Sequence, residues 1–153
     1  MNPKIRCQCG TIVLYASAPQ PIEVYCCHCL ECQRQSSSAF GTSAMFPAEG
    51  MWPLPEDVRA KLGVWTRPTD SGNTLECYFC TECGVRILHR SILPDGTPKP
   101  TLSIKGGCLE GLSWEGAKHI YTRSARVPVP GGGDPGSPVV APTLEPDVEH
   151  TVV

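Results

Sequence analysis

The sequence has no excess of positive charge, no long apolar run and little helical signal. Its 13 lysines and arginines are set against 15 aspartates and glutamates, a formal net charge of -2, and no basic stretch disturbs that balance. Such a chain has no field to draw in nucleic acid or an anionic membrane, so neither is expected as a partner. No segment approaches the roughly 20 apolar residues that span a bilayer. Met1-Asn2-Pro3-Lys4 leads to Cys7 without an apolar stretch, so no secretory leader is expected, and the expected location is cytoplasmic. Thiols stay reduced there and are available to metal. The hydrophobic share, 41% over 153 residues, is slightly low for one well-filled domain. Metal cross-links would offset that shortfall, because the free energy of binding a structural ion becomes free energy of folding.

What the chain does have is cysteine. Nine of its 10 cysteines fall into three clusters: Cys7-x-Cys9-Gly10, Cys26-Cys27-His28-Cys29-x-x-Cys32 and Cys77-x-x-Cys80-x-x-Cys83-Gly84, with Cys108 apart. Cysteines one or two residues apart rarely bond to each other, since the short loop strains the disulfide. They readily share one metal ion, and zinc is the expected metal. Gly10 and Gly84 each follow a cysteine. A glycine there lets the chain turn with positive φ and aim backbone N–H groups at sulfur. Two such knuckles, Cys7/Cys9 and Cys80/Cys83, could close a four-thiolate site of the structural kind. If so, Cys27, Cys29 and Cys32 remain for a second ion and leave it one open position, the mark of catalytic zinc. Three thiolates over-neutralise Zn²⁺, so that centre suits a thiol substrate better than it suits making hydroxide. An iron–sulfur run lacks its fourth cysteine in both places, where Ser36 and Ile87 stand.

His28 lies inside the three-cysteine turn and could be a fourth ligand, a proton carrier or a surface residue pointing away from the metal. His89 and His119, in apolar strand-like runs, are expected to be structural. Cys26, Cys77 and Cys108 are expected to be buried, inert thiols.

Short β-branched and aromatic runs predict strands over 11–15, 22–25, 39–46, 64–67, 75–79, 85–89, 101–105 and 119–122. Helix is expected only over 29–34 and over 55–62, with Pro55 at the first helical position. Many short strands between glycines and prolines predict a mainly β domain. It should occupy 1–126, and the Pro/Gly-rich segment 127–153 should be a flexible tail.

The blocks Cys7-Gln8-Cys9-Gly10, Cys27-His28-Cys29-Leu30-Glu31-Cys32-Gln33-Arg34, Phe79-Cys80-Thr81-Glu82-Cys83-Gly84, Gly107-Cys108-Leu109-Glu110 and His119-Ile120-Tyr121 carry a resemblance. In order and spacing the chain resembles the glutathione-dependent formaldehyde-activating enzyme family, whose domain is shared with centromere protein V. The resemblance implies a zinc-stabilised β fold of the Mss4-like kind with little helix. It implies two zinc ions: a structural one on Cys7, Cys9, Cys80 and Cys83, and a catalytic, exchangeable one on Cys27, Cys29 and Cys32. It further implies a carbon–sulfur lyase, running between glutathione plus formaldehyde and S-hydroxymethylglutathione. A small-molecule partner such as glutathione would then meet Arg34 or Arg86 through its carboxylates. Ser37 stands where the family commonly carries glycine, and Glu110 where aspartate is usual. Two other functions fit the same residues. One is a zinc-dependent lyase, isomerase or dehydratase acting on a reactive metabolite of a biosynthetic pathway. The other is a zinc-binding interaction module without catalysis.

Overall fold

The computed structural model describes residues 1–132. The tail expected over 127–153 lies outside the described residues from 133 onward; its first six residues end in a short turn, Pro130–Gly132. The described residues form two compact units: Met1–Tyr25 with Thr42–Lys118, and Cys26–Gly41 with residues 119–132.

The fold is mainly β. Its strands are β1 (Lys4–Arg6), β2 (Val13–Tyr15), β3 (Glu23–Cys27), β4 (Gly41–Pro47), β5 (Leu62–Pro68), β6 (Thr74–Cys80), β7 (Arg86–Ile92), β8 (Pro98–Lys105) and β9 (Lys118–Ile120). Among the described residues helix is confined to α1 (Leu30–Ser36) and α2 (Glu56–Arg59), with single 3-10 turns besides. β1 and β2 form a hairpin sheet, and the other strands make a seven-stranded sheet in the order β5-β6-β7-β8-β4-β3-β9.

The first unit is built on the antiparallel run β5, β6, β7, β8 and β4. Side chains alternate between the faces of a strand, so residues directly across from each other share a face. Leu88 opposes Ile104, which opposes Ala44, and Leu102 opposes Phe46. That face closes over Ile5, Ile12 and Leu14 to make the core. Phe46, Ile5, Ile12, Leu88, Leu102 and Ile104 are all fully buried, and burying each such side chain is worth about 1.5–3 kcal/mol.

Four expectations need correction. Strand β1 was not anticipated, because three residues carry no readable alternation. Thr11 and Ile12 leave the strand expected at 11–15: the Ile12 N–H is turned onto Cys7 Sγ at 3.2 Å. The helix expected over 55–62 is only Glu56–Arg59, with Pro55 as its cap residue rather than its first helical one. Leu62 is drawn instead into β5, where it pairs with Cys80. The strand expected at 119–122 ends at Ile120, where Tyr121 turns to a φ of 54°.

Candidate functional site

The first sulfur group lies wholly in the first unit. Cys7 and Cys9 follow β1, and Gly10 turns the chain with a φ of 80°. Its N–H reaches the Cys7 carbonyl at 3.1 Å. Cys80 ends β6, Gly84 turns at 73°, and its N–H reaches the Cys80 carbonyl at 2.9 Å. The two knuckles bring the Sγ atoms of Cys7, Cys9, Cys80 and Cys83 within 4.8 Å of one another. Cys7 and Cys9 are 3.5 Å apart and Cys9 and Cys80 3.7 Å. Sulfurs at the corners of a tetrahedron around zinc, each about 2.3 Å from the ion, lie about 3.8 Å apart. The residues fit the metal, and none of the cysteines is in a disulfide. Local donors prepare two of the sulfurs for it. Hydrogen bonds from the Thr11 side chain and backbone pull the Cys9 thiol down to about 6. Backbone bonds at Cys9 and Val85 lower that of Cys83. Burial pushes the Cys80 thiol up to about 11, so its thiolate depends on a cation being there.

The second group lies in the second unit. Cys27 ends β3, and Cys29 caps α1 by accepting the Cys32 N–H at 3.3 Å. One helical turn then returns Cys32 to the side of Cys29. The Sγ atoms of Cys27, Cys29 and Cys32 lie within 4.8 Å of one another. Hydrogen bonds with Cys29 and then Cys32, reinforced by burial, drive the Cys27 thiol upward. A cation among the three sulfurs would take the place of the proton that these surroundings hold on Cys27. Gly41 makes room for the turn, since a Cβ there would stand 2.9 Å from that of Cys32. Ser37 ends the helix at a φ of 51°, a conformation that a glycine would adopt without strain.

His28 is fully buried, which overturns its reading as a surface residue. Among the described residues it also falls outside the sulfur group. Its Nε2 lies 2.8 Å from Nδ1 of His119. The two rings stack at 5.1 Å, and Phe40 packs at 5.3 Å. Its backbone N–H donates to Ile120 and its carbonyl accepts from Gln33 Nε2, which also donates to the Ser124 carbonyl. Its Nδ1 is buried without a hydrogen-bond partner among the described residues. Burial, then the neighbouring His119, lowers its pKa, favouring the neutral ring. His119, expected to be structural, is thus the partner sequence reasoning missed. The two residues are far apart in the chain, and no spacing rule joins them.

The remaining candidates scatter. Arg34 is exposed and paired with Glu31 at 2.7 Å. Arg86 lies in the first unit, its guanidinium 5.5 Å from the Trp65 ring centre. Cys26, Cys77 and Cys108 are buried, and burial raises all three thiols. Cys26 and Cys77 fall outside both sulfur groups, so the iron–sulfur spacings are not assembled. Among the described residues no helix is long and apolar enough to cross a membrane.

The sequence pattern of the family described as glutathione-dependent formaldehyde-activating enzyme matches residues 2–124. A comparison with curated proteins found no match.

Proposed function

The chain belongs to the glutathione-dependent formaldehyde-activating enzyme family, and from that premise we propose that it is a zinc-dependent carbon–sulfur lyase acting on the glutathione–formaldehyde adduct or a related thiol and carbonyl pair. The observation that supports this reading is the unequal pair of sulfur groups, four and three. Cys7, Cys9, Cys80 and Cys83 would hold a structural zinc, and Cys27, Cys29 and Cys32 a second one. A zinc ion on three thiolates supplies, when bound, a Lewis acid with one exchangeable position suited to a thiol sulfur or a carbonyl oxygen.

In the joining direction a bond forms between the glutathione sulfur and the formaldehyde carbon, and the thiol proton passes to the carbonyl oxygen. Cleavage breaks the same bond and returns the proton. Cys29 and Cys32 are held in register by α1, so the sulfur group is preformed. His28, lying between two of these cysteines in sequence, is assigned the hydrogen bond to the proton in transit. His119 fixes its ring through Nε2 and leaves Nδ1 for that work. Arg34, exposed and already paired with Glu31, is a weak carboxylate anchor. The catalytic domain is taken as 1–126, with 127–153 as an appended tail.

Adduct formation above the spontaneous rate can be followed by exchange NMR with labelled formaldehyde. The purified chain should carry about two zinc ions, given one closed and one open thiolate site. Cys29→Ser should remove one ion and abolish the catalysed rate while circular dichroism stays that of a folded β protein. An unchanged catalysed rate in Cys29→Ser would defeat the proposal.

A further inference from the structure

Cys29 and Cys32 stand three residues apart, and the local chain sets them side by side. Cys29 caps α1, and its Sγ accepts the Cys32 N–H at 3.3 Å. Residues at that spacing are neighbours on one helical face. The two Sγ atoms lie within 4.8 Å of each other, and neither is in a disulfide. Both side chains are half-buried, so a small reagent reaches them. Cys27, the third sulfur, is buried at the end of β3.

Spacing alone does not single this pair out, because Cys80-x-x-Cys83 repeats it. Packing separates the two. Cys80 is fully buried and lies in the hydrophobic core with Cys7, and Cys83 packs against that core. Cys9 is exposed, but the sulfurs 3.5 and 3.7 Å from it are those of Cys7 and Cys80. Drawing such groups together strains a packed core, which yields little. The turn from Cys29 to Cys32 carries no buried side chain, so a bond there pulls on none. A ring closed over two intervening residues is itself strained. Strained or exposed disulfides are the readily reduced, regulatory ones, so such a bond is transient rather than structural.

We propose that Cys29 and Cys32 form a site of reversible oxidation by a hydroperoxide, at which closing the disulfide displaces the ion of the three-sulfur group. One thiolate attacks a peroxide oxygen. The O–O bond breaks, hydroxide leaves, and that sulfur is oxidised to a sulfenic acid. The second thiolate attacks the oxidised sulfur. An S–S bond forms, the S–O bond breaks, and a second hydroxide leaves. The two thiolates lose two electrons, hydrogen peroxide gains them, and both hydroxides take up protons as water. A metal ligand must be a thiolate, so only Cys27 remains of the set and the ion departs. A pair of external thiols, such as two molecules of glutathione, reverses the bond by exchange and leaves as their own disulfide. The displacement rests on the second zinc of the function proposed above, whereas the bond rests on the geometry of the pair.

The zinc-loaded full chain tests this with hydrogen peroxide as the probe. Zinc release is read with a chromophoric chelator, and the bond by intact mass and peptide mapping. One ion per chain should be released, and the mass should fall by about 2 Da, the two thiol hydrogens. The bond should map to Cys29 and Cys32, while circular dichroism stays that of the folded chain. Dithiothreitol with added zinc should restore both mass and metal. Cys29→Ser should lose the mass shift, and Cys32→Ser covers the case of the first variant failing to fold. No mass shift, a bond that maps to Cys27 or to the four-sulfur group, or a shift that persists in both variants overturns the proposal. So does a bond that forms in a two-zinc chain without release. Zinc release with the Cys29–Cys32 bond, but without any catalysed adduct formation, keeps the oxidation site and retires the lyase reading. Catalysis in a chain that peroxide leaves unbonded does the reverse.

Discussion

The four-sulfur and three-sulfur groups are made from the same element in the same chain, yet their surroundings differ in kind. Cys7, Cys9, Cys80 and Cys83 sit on two backbone knuckles, and Cys7 and Cys80 belong to the hydrophobic core. Four sulfurs so close could complete a tetrahedron around one ion, which would leave nothing for chemistry. Cys27, Cys29 and Cys32 sit at a strand end and a helix start, with the buried His28 and the half-buried His119 paired in the same unit. On the proposed function, the ligand type would not separate a rigid joint from a working site; the number of sulfurs and the polar groups set beside them would.

The comparison breaks most sharply under cysteine replacement. Structural thiolate zinc supplies about 10–16 kcal/mol of apparent binding free energy, more than the roughly 5–15 kcal/mol of a whole domain's stability. Cys83→Ala should therefore give a chain without cooperative thermal unfolding, whereas Cys29→Ser keeps a melting transition. Two similar melting curves would erase the distinction. Next in size is His119→Phe. It keeps a ring beside His28 but strands Nε2, at about 1–3 kcal/mol for a buried group left unpaired. The catalysed rate should fall about 10- to 100-fold with zinc content unchanged, and His119→Asn should restore part of it. Loss of zinc in His119→Phe would mean that the pair serves the metal site's shape rather than its chemistry.

A smaller effect separates the acid response of the sheet from that of the sulfur groups. Burial, then Lys105, Arg86 and Arg67, hold His89 down to about 2 from an ordinary 6.5. The unfolded chain takes up a proton below 6.5 that the native state refuses, so this contribution is complete above that pH and is lost progressively as pH falls toward 2. Urea midpoints measured from pH 7 to 4.5 at saturating zinc should fall more steeply for wild type than for His89→Gln; parallel slopes would remove His89 from the account. Smallest is Arg34→Ala. An exposed pair of this kind is worth about 0–1 kcal/mol, so stability should change by no more than about 1 kcal/mol and the catalysed rate should stay within about twofold. A tenfold loss of rate would restore Arg34 as a substrate contact.

The sulfur groups were legible because metal-ligand spacing is a local property of the chain. Cys7-x-Cys9-Gly10 and Cys80-x-x-Cys83-Gly84 declare their turns in a few residues, and the matched family pattern covers both. The strands over 64–67, 75–79, 85–89 and 101–105 were legible from β-branched and aromatic runs. Their ends were not: β5 extends back to Leu62 because it pairs with Cys80, and that pairing belongs to the sheet rather than to the segment. The His28–His119 contact and the extra residue at Ile87, between the pairs Tyr78–Leu88 and Phe79–Arg86, were invisible for the same reason. Each depends on which strands become neighbours.

Gln33 lends the three-sulfur turn a separate consequence. Its side-chain amide bridges the carbonyls of His28 and Ser124, and the His28 N–H is held by Ile120, so the turn is braced from behind by bonds in which no cysteine side chain takes part. If the three sulfurs hold an ion, this bracing would keep its mould when the ion departs, so that metal could come and go without the chain having to fold afresh each time.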